Sequence, residues 1–198
     1  LRKMHFGSFP QGKNPVRNFI PVARISDMLE NPGGTFQYNG KTHEYPDVKL
    51  VWWAGGNPFH HHQDLNRLRK AWAKPDTVIV NEWCWNSLAR HADIVLPCST
   101  TLERSDLGLN PRDAYQVVMD QAIEPVGEAK SDHDIFRGIA AELGMEEKFT
   151  EGRSPEEWQK WMYEISRQSA SRSAFELPDW DTMQLKGWIK VPPPEKPA

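Results

Sequence analysis

The sequence is short of cysteine, of net charge and of long apolar runs, and each shortage removes a class of protein. Two cysteines, Cys84 and Cys98, in 198 residues make neither a disulfide framework nor a zinc site, and they read as free thiols. A formal net charge of −3 argues against a general nucleic-acid or membrane-surface role. No apolar run approaches the ~20 residues that span a bilayer. Two catalytic signatures are absent as well. Ser99 has no G-x-S-x-G around it, which excludes a hydrolase elbow. No G-x-G-x-x-G occurs, which speaks against a nicotinamide dinucleotide domain. Without an initiator methionine or a leader, the opening Leu1-Arg2-Lys3 reads as the start of a piece of something longer, silent on compartment.

What is present suits one globular domain with appendages, long enough to bury a core. Hydrophobic residues make up 38% of the chain, and nine tryptophans carry much of its aromatic area. Residues 1–47 are punctuated by proline and glycine and read as irregular. They include a short helix from Val22 to Leu29 and a hairpin over 36–45 with Asn39-Gly40 as its turn. A regular pattern follows: an apolar strand Val48–Trp53, a helix His60–Trp72 with Leu65, Leu68 and Trp72 on one face, a strand Thr77–Val80, a short helix Trp85–His91 and a strand Asp93–Pro97. Strand, helix, strand, helix, strand with short connections predicts an α/β fold. The expected form is a three-layer α/β/α sandwich on a mostly parallel, Rossmann-like sheet buried on both faces. A further strand (114–119), a helix Asp132–Leu143 stopped by Gly144, and a helix capped by Ser154 that runs to about Gln168 complete a domain over 48–168. Residues 169–198 read as a tail.

In an open parallel sheet, ligands bind outside the carboxyl ends of the strands. Three segments lie there. Gly55-Gly56-Asn57-Pro58 lets backbone approach a pyrophosphate and leads into a helix N-terminus. Asn81-Glu82-Trp83 offers an amide and a carboxylate to a ribose hydroxyl or a base edge. Cys98-Ser99-Thr100-Thr101 offers hydroxyls and leads to Glu103-Arg104-Ser105-Asp106. Each segment alone also fits a plain turn; together they describe a nucleotide crevice. The triplet His60-His61-His62 lacks the i, i+4 spacing of a helical metal pair. The run Arg90-His91-Ala92-Asp93 reads as a structural network.

At these residues a family resemblance appears. Gly55-Gly-Asn-Pro-Phe-His-His-His-Gln-Asp-Leu-Asn-Arg67, Ala89-Arg-His-Ala-Asp-Ile-Val-Leu-Pro97 and Thr101-Leu-Glu-Arg104 resemble the dimethyl sulfoxide, trimethylamine N-oxide and biotin sulfoxide reductase branch of the molybdopterin oxidoreductases. Ile20–Leu29, Asn31–Gly33, Ser131–Phe136 and Phe149–Gly152 are similar too, so the resemblance covers about residues 10–165. It implies a fragment of an enzyme that carries molybdenum on two molybdopterin guanine dinucleotides. The fragment would hold the guanosine diphosphate end of one of them. Carried over by position, Gly56, Asn57 and Gln63 border the nucleotide, Asn81 and Glu82 meet ribose or guanine, and Ser99, Thr100 and Asp106 close the far side. Asn81-Glu82-Trp83-Cys84 departs from the branch, which more often has His-Glu-Pro and an aromatic there. The branch's metal ligand and its substrate funnel lie outside the segments that match. The resemblance thus makes the remaining domains of a parent reductase and the guanine dinucleotide the partners, with no nucleic acid or membrane. Two alternatives stand beside it: a free-standing nucleotide-binding module without molybdenum, and a nicotinamide-dependent dehydrogenase domain.

Overall fold

A computed structural model describes residues 7–16, 19–109, 114–172 and 175–192. The described chain is mixed α/β and divides into two compact units. One is Lys13–Cys98; the other is made of the described residues of Leu1–Gly12 and Ser99–Ala198. The boundary falls at Cys98–Ser99, inside the 48–168 span expected to form one domain.

In the Lys13–Cys98 unit, Pro21 precedes a 3-10 turn that leads into α1 (Ile25–Glu30). The hairpin β1 (Thr35–Tyr38) and β2 (Lys41–Glu44) closes through Asn39 and Gly40, both left-handed, as a two-residue hairpin turn requires. Then come β3 (Leu50–Ala54), α2 (Pro58–His61), α3 (Leu65–Trp72), β4 (Thr77–Glu82) and β5 (Ile94–Pro97). The last three strands form a parallel sheet in the order β3-β4-β5, with Ala54 opposite Asn81 and Glu82 opposite Pro97. One sheet face carries Val51, Trp53, Val78, Val80 and Val95, packed with Leu29, Phe59, Leu68, Trp72 and Leu88. Arg67 on α3 ties α1 to this layer through Glu30 and Asp27, at 2.8 and 2.5 Å.

Within this unit four departures from the sequence expectation bear on the site. The helix expected over His60–Trp72 is two helices, broken where Asp64 turns left-handed (φ 44°) and caps α3 by accepting from the Arg67 N–H. That leaves α2 a single turn, too short for a macrodipole of consequence. The helix expected over Trp85–His91 contracts to a 3-10 turn at Ala89–His91. β4 runs two residues beyond Val80, so Asn81 and Glu82 are strand residues with paired backbones rather than loop residues. Finally, the second sheet face is not fully covered within its unit: Leu50 is 52% and Ile94 46% exposed.

The other unit is built on an antiparallel sheet, β6 (Asp106–Leu109), β7 (Tyr115–Met119) and β8 (Trp188–Lys190), with β7 central. The helices are α4 (Asp132–Glu142), α5 (Glu146–Thr150), α6 (Pro155–Arg172) and α7 (Trp180–Lys186). Ser131 caps α4. Ser154 and Glu157 exchange bonds across the start of α6, its Oγ accepting from Glu157 N–H and its N–H donating to Glu157, which is a capping box. Val118, Tyr163, Leu177, Trp180, Met183 and Ile189 form the core. Residues 180–190, which read as tail in the sequence, thus supply a helix and a strand; residues 193–198 of the expected extended end lie outside the described residues.

Candidate nucleotide site

The carboxyl edge of β3-β4-β5 brings the first two of the three sequence segments together. Just after β3 the chain turns through Gly55 and Gly56, both left-handed at φ 81° and 77°. A side chain would strain this conformation, so glycine is the residue that fits. The space above both is open: no heavy atom lies within 4 Å of where a Cβ on Gly55 would stand, and only Trp53 Nε1, at 4.0 Å, approaches that of Gly56. The turn is pinned from below, because Trp53 Nε1 donates to the Gly55 carbonyl at 2.9 Å.

Asn57 follows in an extended conformation and does two jobs. Its Oδ1 accepts from the Phe59 N–H at 3.0 Å and caps α2, and its Nδ2 donates to Ser87 Oγ at 3.1 Å. The second bond joins the loop after β3 to the loop after β4. Gln63, past α2, is exposed and puts only its carbonyl into a described bond, with His62 Nδ1. Its side chain is therefore available at the rim.

On β4, Asn81 and Glu82 are both buried. Asn81 Oδ1 accepts from Trp52 Nε1 at 3.0 Å, which fixes the orientation of the amide. The Glu82 carbonyl accepts from the Cys98 N–H at 3.1 Å and aligns the end of β4 with that of β5. Below this edge His91 stacks on Phe59 with ring centroids 4.3 Å apart, and its Nδ1 donates to the Ser87 carbonyl at 2.7 Å. Asp93 accepts from the Val78 N–H at 2.7 Å. His91 and Asp93 therefore hold the scaffold, as their sequence context suggests.

Ser99, Thr100 and Asp106 belong to the other unit. Ser99 and Asp106 both line a recess of about 460 Å³, together with Arg104, Gln121, Lys130, His133 and Gln159. Ser99 Oγ is buried without a hydrogen-bond partner, and so are both ring nitrogens of His133. Buried polar groups almost always find partners, so this wall is suited to a polar ligand. Thr100 does not line the recess. Its N–H and its hydroxyl both donate to Glu103, at 2.7 and 2.8 Å, and the Val126 N–H donates to the other oxygen of the same carboxylate at 2.9 Å. These bonds, the Thr100 N–H first, hold the Glu103 carboxyl below its usual pKa. Arg104 spans Asp106 and the Ser99 carbonyl, at 3.2 and 3.1 Å. Sequence reasoning passed over Arg104 and His133 as recess residues; only the fold places them beside Ser99. Among the described residues no group of three or more His, Cys, Asp and Glu side chains is placed to hold a metal ion.

Comparison with known proteins gives a consistent picture. A family model described as molybdopterin oxidoreductase matches residues 8–142. A biotin sulfoxide reductase of Cereibacter sphaeroides is 51% identical over 92% of this chain and 25% of its own length. A dimethyl sulfoxide/trimethylamine N-oxide reductase of Rhodobacter capsulatus is 44% identical over 87% of the chain and 21% of its own. A trimethylamine-N-oxide reductase of Haemophilus influenzae is 45% identical over 93% and 23%. The chain thus spans about a quarter of the length of these relatives. Among solved structures, acetylene hydratase from Pelobacter acetylenicus aligns with a TM-score of 0.53 at 23% identity, over 76% of this chain and 19% of that one, which speaks to the fold alone.

Proposed function

The chain belongs to the molybdopterin oxidoreductase family, and we propose that it binds the guanosine diphosphate end of a molybdopterin guanine dinucleotide within a molybdenum-dependent S-oxide or N-oxide reductase. The observation that carries this reading is the open, left-handed Gly55-Gly56 turn at the carboxyl edge of a parallel sheet. There backbone N–H groups meet a phosphate without a side chain in the way. Asn57 and Gln63 border that phosphate path. Asn81 and Glu82, held at the end of β4, present an amide and a carboxylate; the carboxylate accepts from guanine N–H groups or ribose hydroxyls. Ser99 and Asp106 are proposed as cofactor contacts within their own unit, supported by the recess that they line. Thr100, whose proton goes to Glu103, contributes only lone pairs.

Family membership implies a molybdenum–molybdopterin cofactor in the parent enzyme, and the metal, when bound, supplies two-electron oxygen-atom transfer. The part assigned to this chain is to bind the nucleotide tail and so fix where the distant reactive end lies. The partly bare face of β3-β4-β5 fits this role, because parallel sheets are normally covered on both sides. We assign the missing cover to the remaining polypeptide of the parent reductase, which completes a three-layer α/β/α sandwich.

Calorimetric titration with GMP and GDP, with AMP and NAD as controls, tests the reading. Guanine-selective binding that weakens in Glu82→Gln is the expected result. Equal affinity for guanine and adenine nucleotides would overturn it, and a preference for NAD would move the assignment to a nicotinamide-dependent domain.

A further inference from the structure

The segment that follows β4 carries two tryptophans that the fold leaves unused. Trp83 and Trp85 are 66% and 70% exposed. Tryptophan is usually well covered, because its ring carries so much apolar area. Elsewhere in the same unit the indoles are engaged: Trp72 is buried, Trp53 packs against Trp72 at 5.6 Å, and Trp52 donates to Asn81. Among the described residues neither Trp83 nor Trp85 has an aromatic or cationic partner.

Their backbone is nevertheless well held. The Glu82 carbonyl before them accepts from Cys98, the Asn86 N–H donates back to the Cys84 carbonyl at 2.9 Å, and Asn86 Oδ1 accepts from the Ala89 N–H at 3.0 Å. Ser87, two residues on, is bonded to Asn57. Two bare indoles thus stand on a fixed loop, between the buried Glu82 and the residue that clasps the Gly55-Gly56 turn. Exposed rings on an ordered loop beside a candidate nucleotide edge match the demands of a stacking platform. A flat aromatic ligand covers a ring face without needing hydrogen bonds from it.

We propose that Trp83 and Trp85 form the base-stacking wall of the nucleotide site and take the purine face by π-stacking, while Asn81 and Glu82 read its edge. The inference rests on the nucleotide-binding reading above and adds to it the group that supplies affinity for the base as distinct from the phosphates.

Two measurements on the full chain test it. The first is acrylamide quenching of tryptophan fluorescence in a Trp188→Phe background, because Trp188 is also 56% exposed; there the two bare indoles carry most of the quenching of the unliganded protein. GMP shields them and ribose 5-phosphate, which has no base, does not. In the second, Trp83→Ala/Trp85→Ala lowers GMP affinity by between about fivefold and about 150-fold, the range that stacking of one base contributes. Competition by ribose 5-phosphate stays unchanged, and Trp83→Phe/Trp85→Phe restores most of the loss. If wild-type protein binds GMP but quenching is unaltered and the double variant binds equally well, stacking is overturned and the nucleotide reading stands. If GMP and ribose 5-phosphate affinities fall together, the pair acts through loop structure and the proposal is likewise overturned. Loss of stability with GMP affinity intact assigns the rings to a polypeptide contact instead. If wild-type protein binds no guanine nucleotide, the nucleotide reading and this inference fall together.

Discussion

Replacing Asn57 separates scaffold from contact at the candidate site. In Asn57→Ala the cap on the Phe59 N–H disappears, which costs about 0.5–2 kcal/mol for a side-chain N-cap. The bond to Ser87 goes too, at about 0.5–1.5 kcal/mol for a partly exposed neutral pair. The loss expected is therefore about 1–3.5 kcal/mol. Asn57→Asp keeps the acceptor for Phe59. Ser87 Oγ already lies 3.4 Å from Oδ1, so its hydroxyl turns to donate and replaces the lost amide donor. The cost there is under about 1 kcal/mol. Urea unfolding followed by circular dichroism measures both, and amide exchange at Phe59 and His60 localises the effect. If the two variants unfold alike, or Asn57→Ala unfolds like the wild type, the joining role is refuted. Binding splits the other way. Asn57→Asp puts a negative charge beside the proposed phosphate and weakens GDP while leaving the fold sound. Wild-type GDP affinity in that variant would place the phosphate elsewhere.

Two further outcomes follow from the same geometry. Glu103 is held ionised by three donors, so its stabilising effect is complete above the unfolded carboxylate pKa of about 4.3 and fades as pH falls through the lower folded value. Thermal melts of the wild type should lose stability more steeply than Glu103→Gln below that pH, and parallel profiles would refute the assignment. Leu68, fully buried between α3 and the sheet, should cost about 2–5 kcal/mol on truncation to alanine. A change under about 1 kcal/mol in urea unfolding would mean that α3 is not seated on this core.

Where residue type and spacing acted locally, the fold was legible. Asn39-Gly40 announced a hairpin because two successive left-handed residues suit few other pairs. The β3, β4 and β5 runs announced a parallel sheet because they are apolar nearly throughout. Misses occurred where a tertiary partner decided. His62 bonds the Val22 carbonyl at 3.0 Å, and Asp64 reverses its φ to cap α3, so one periodic run became two helices. β8 is three residues long and has no period to detect; it exists because Gln116 and Val117 of β7 need a neighbour. β6 was missed for a related reason, since Asp106-Leu-Gly-Leu109 carries a glycine that propensity counts against a strand, while pairing with β7 stabilises it.

At the site, residue chemistry was more legible than its partnerships. Gly56 and Asn57 were recognisable because a left-handed turn and a side-chain cap leave marks in the sequence itself. Thr100 was not separable from Ser99 by such marks. Adjacent hydroxyls look equivalent on paper, yet Thr100 gives its proton to Glu103 while Ser99 Oγ is buried without a partner. That difference comes from Glu103, which also takes the Val126 N–H from a segment 23 residues away. The same logic applies to the tryptophans. In the sequence, Trp52, Trp53, Trp72, Trp83 and Trp85 are one aromatic cluster with core as its ordinary meaning. The fold divides it: β3 and α3 take the first three into the scaffold, while the loop after β4 leaves the last two facing water. Position relative to a strand end, not residue type, turns a core-forming residue into a candidate ligand wall. Under the proposed reading, the departure Asn81-Glu82-Trp83-Cys84 bears on function at two points: its first two residues supply the proposed edge contacts and its third part of the proposed stacking surface.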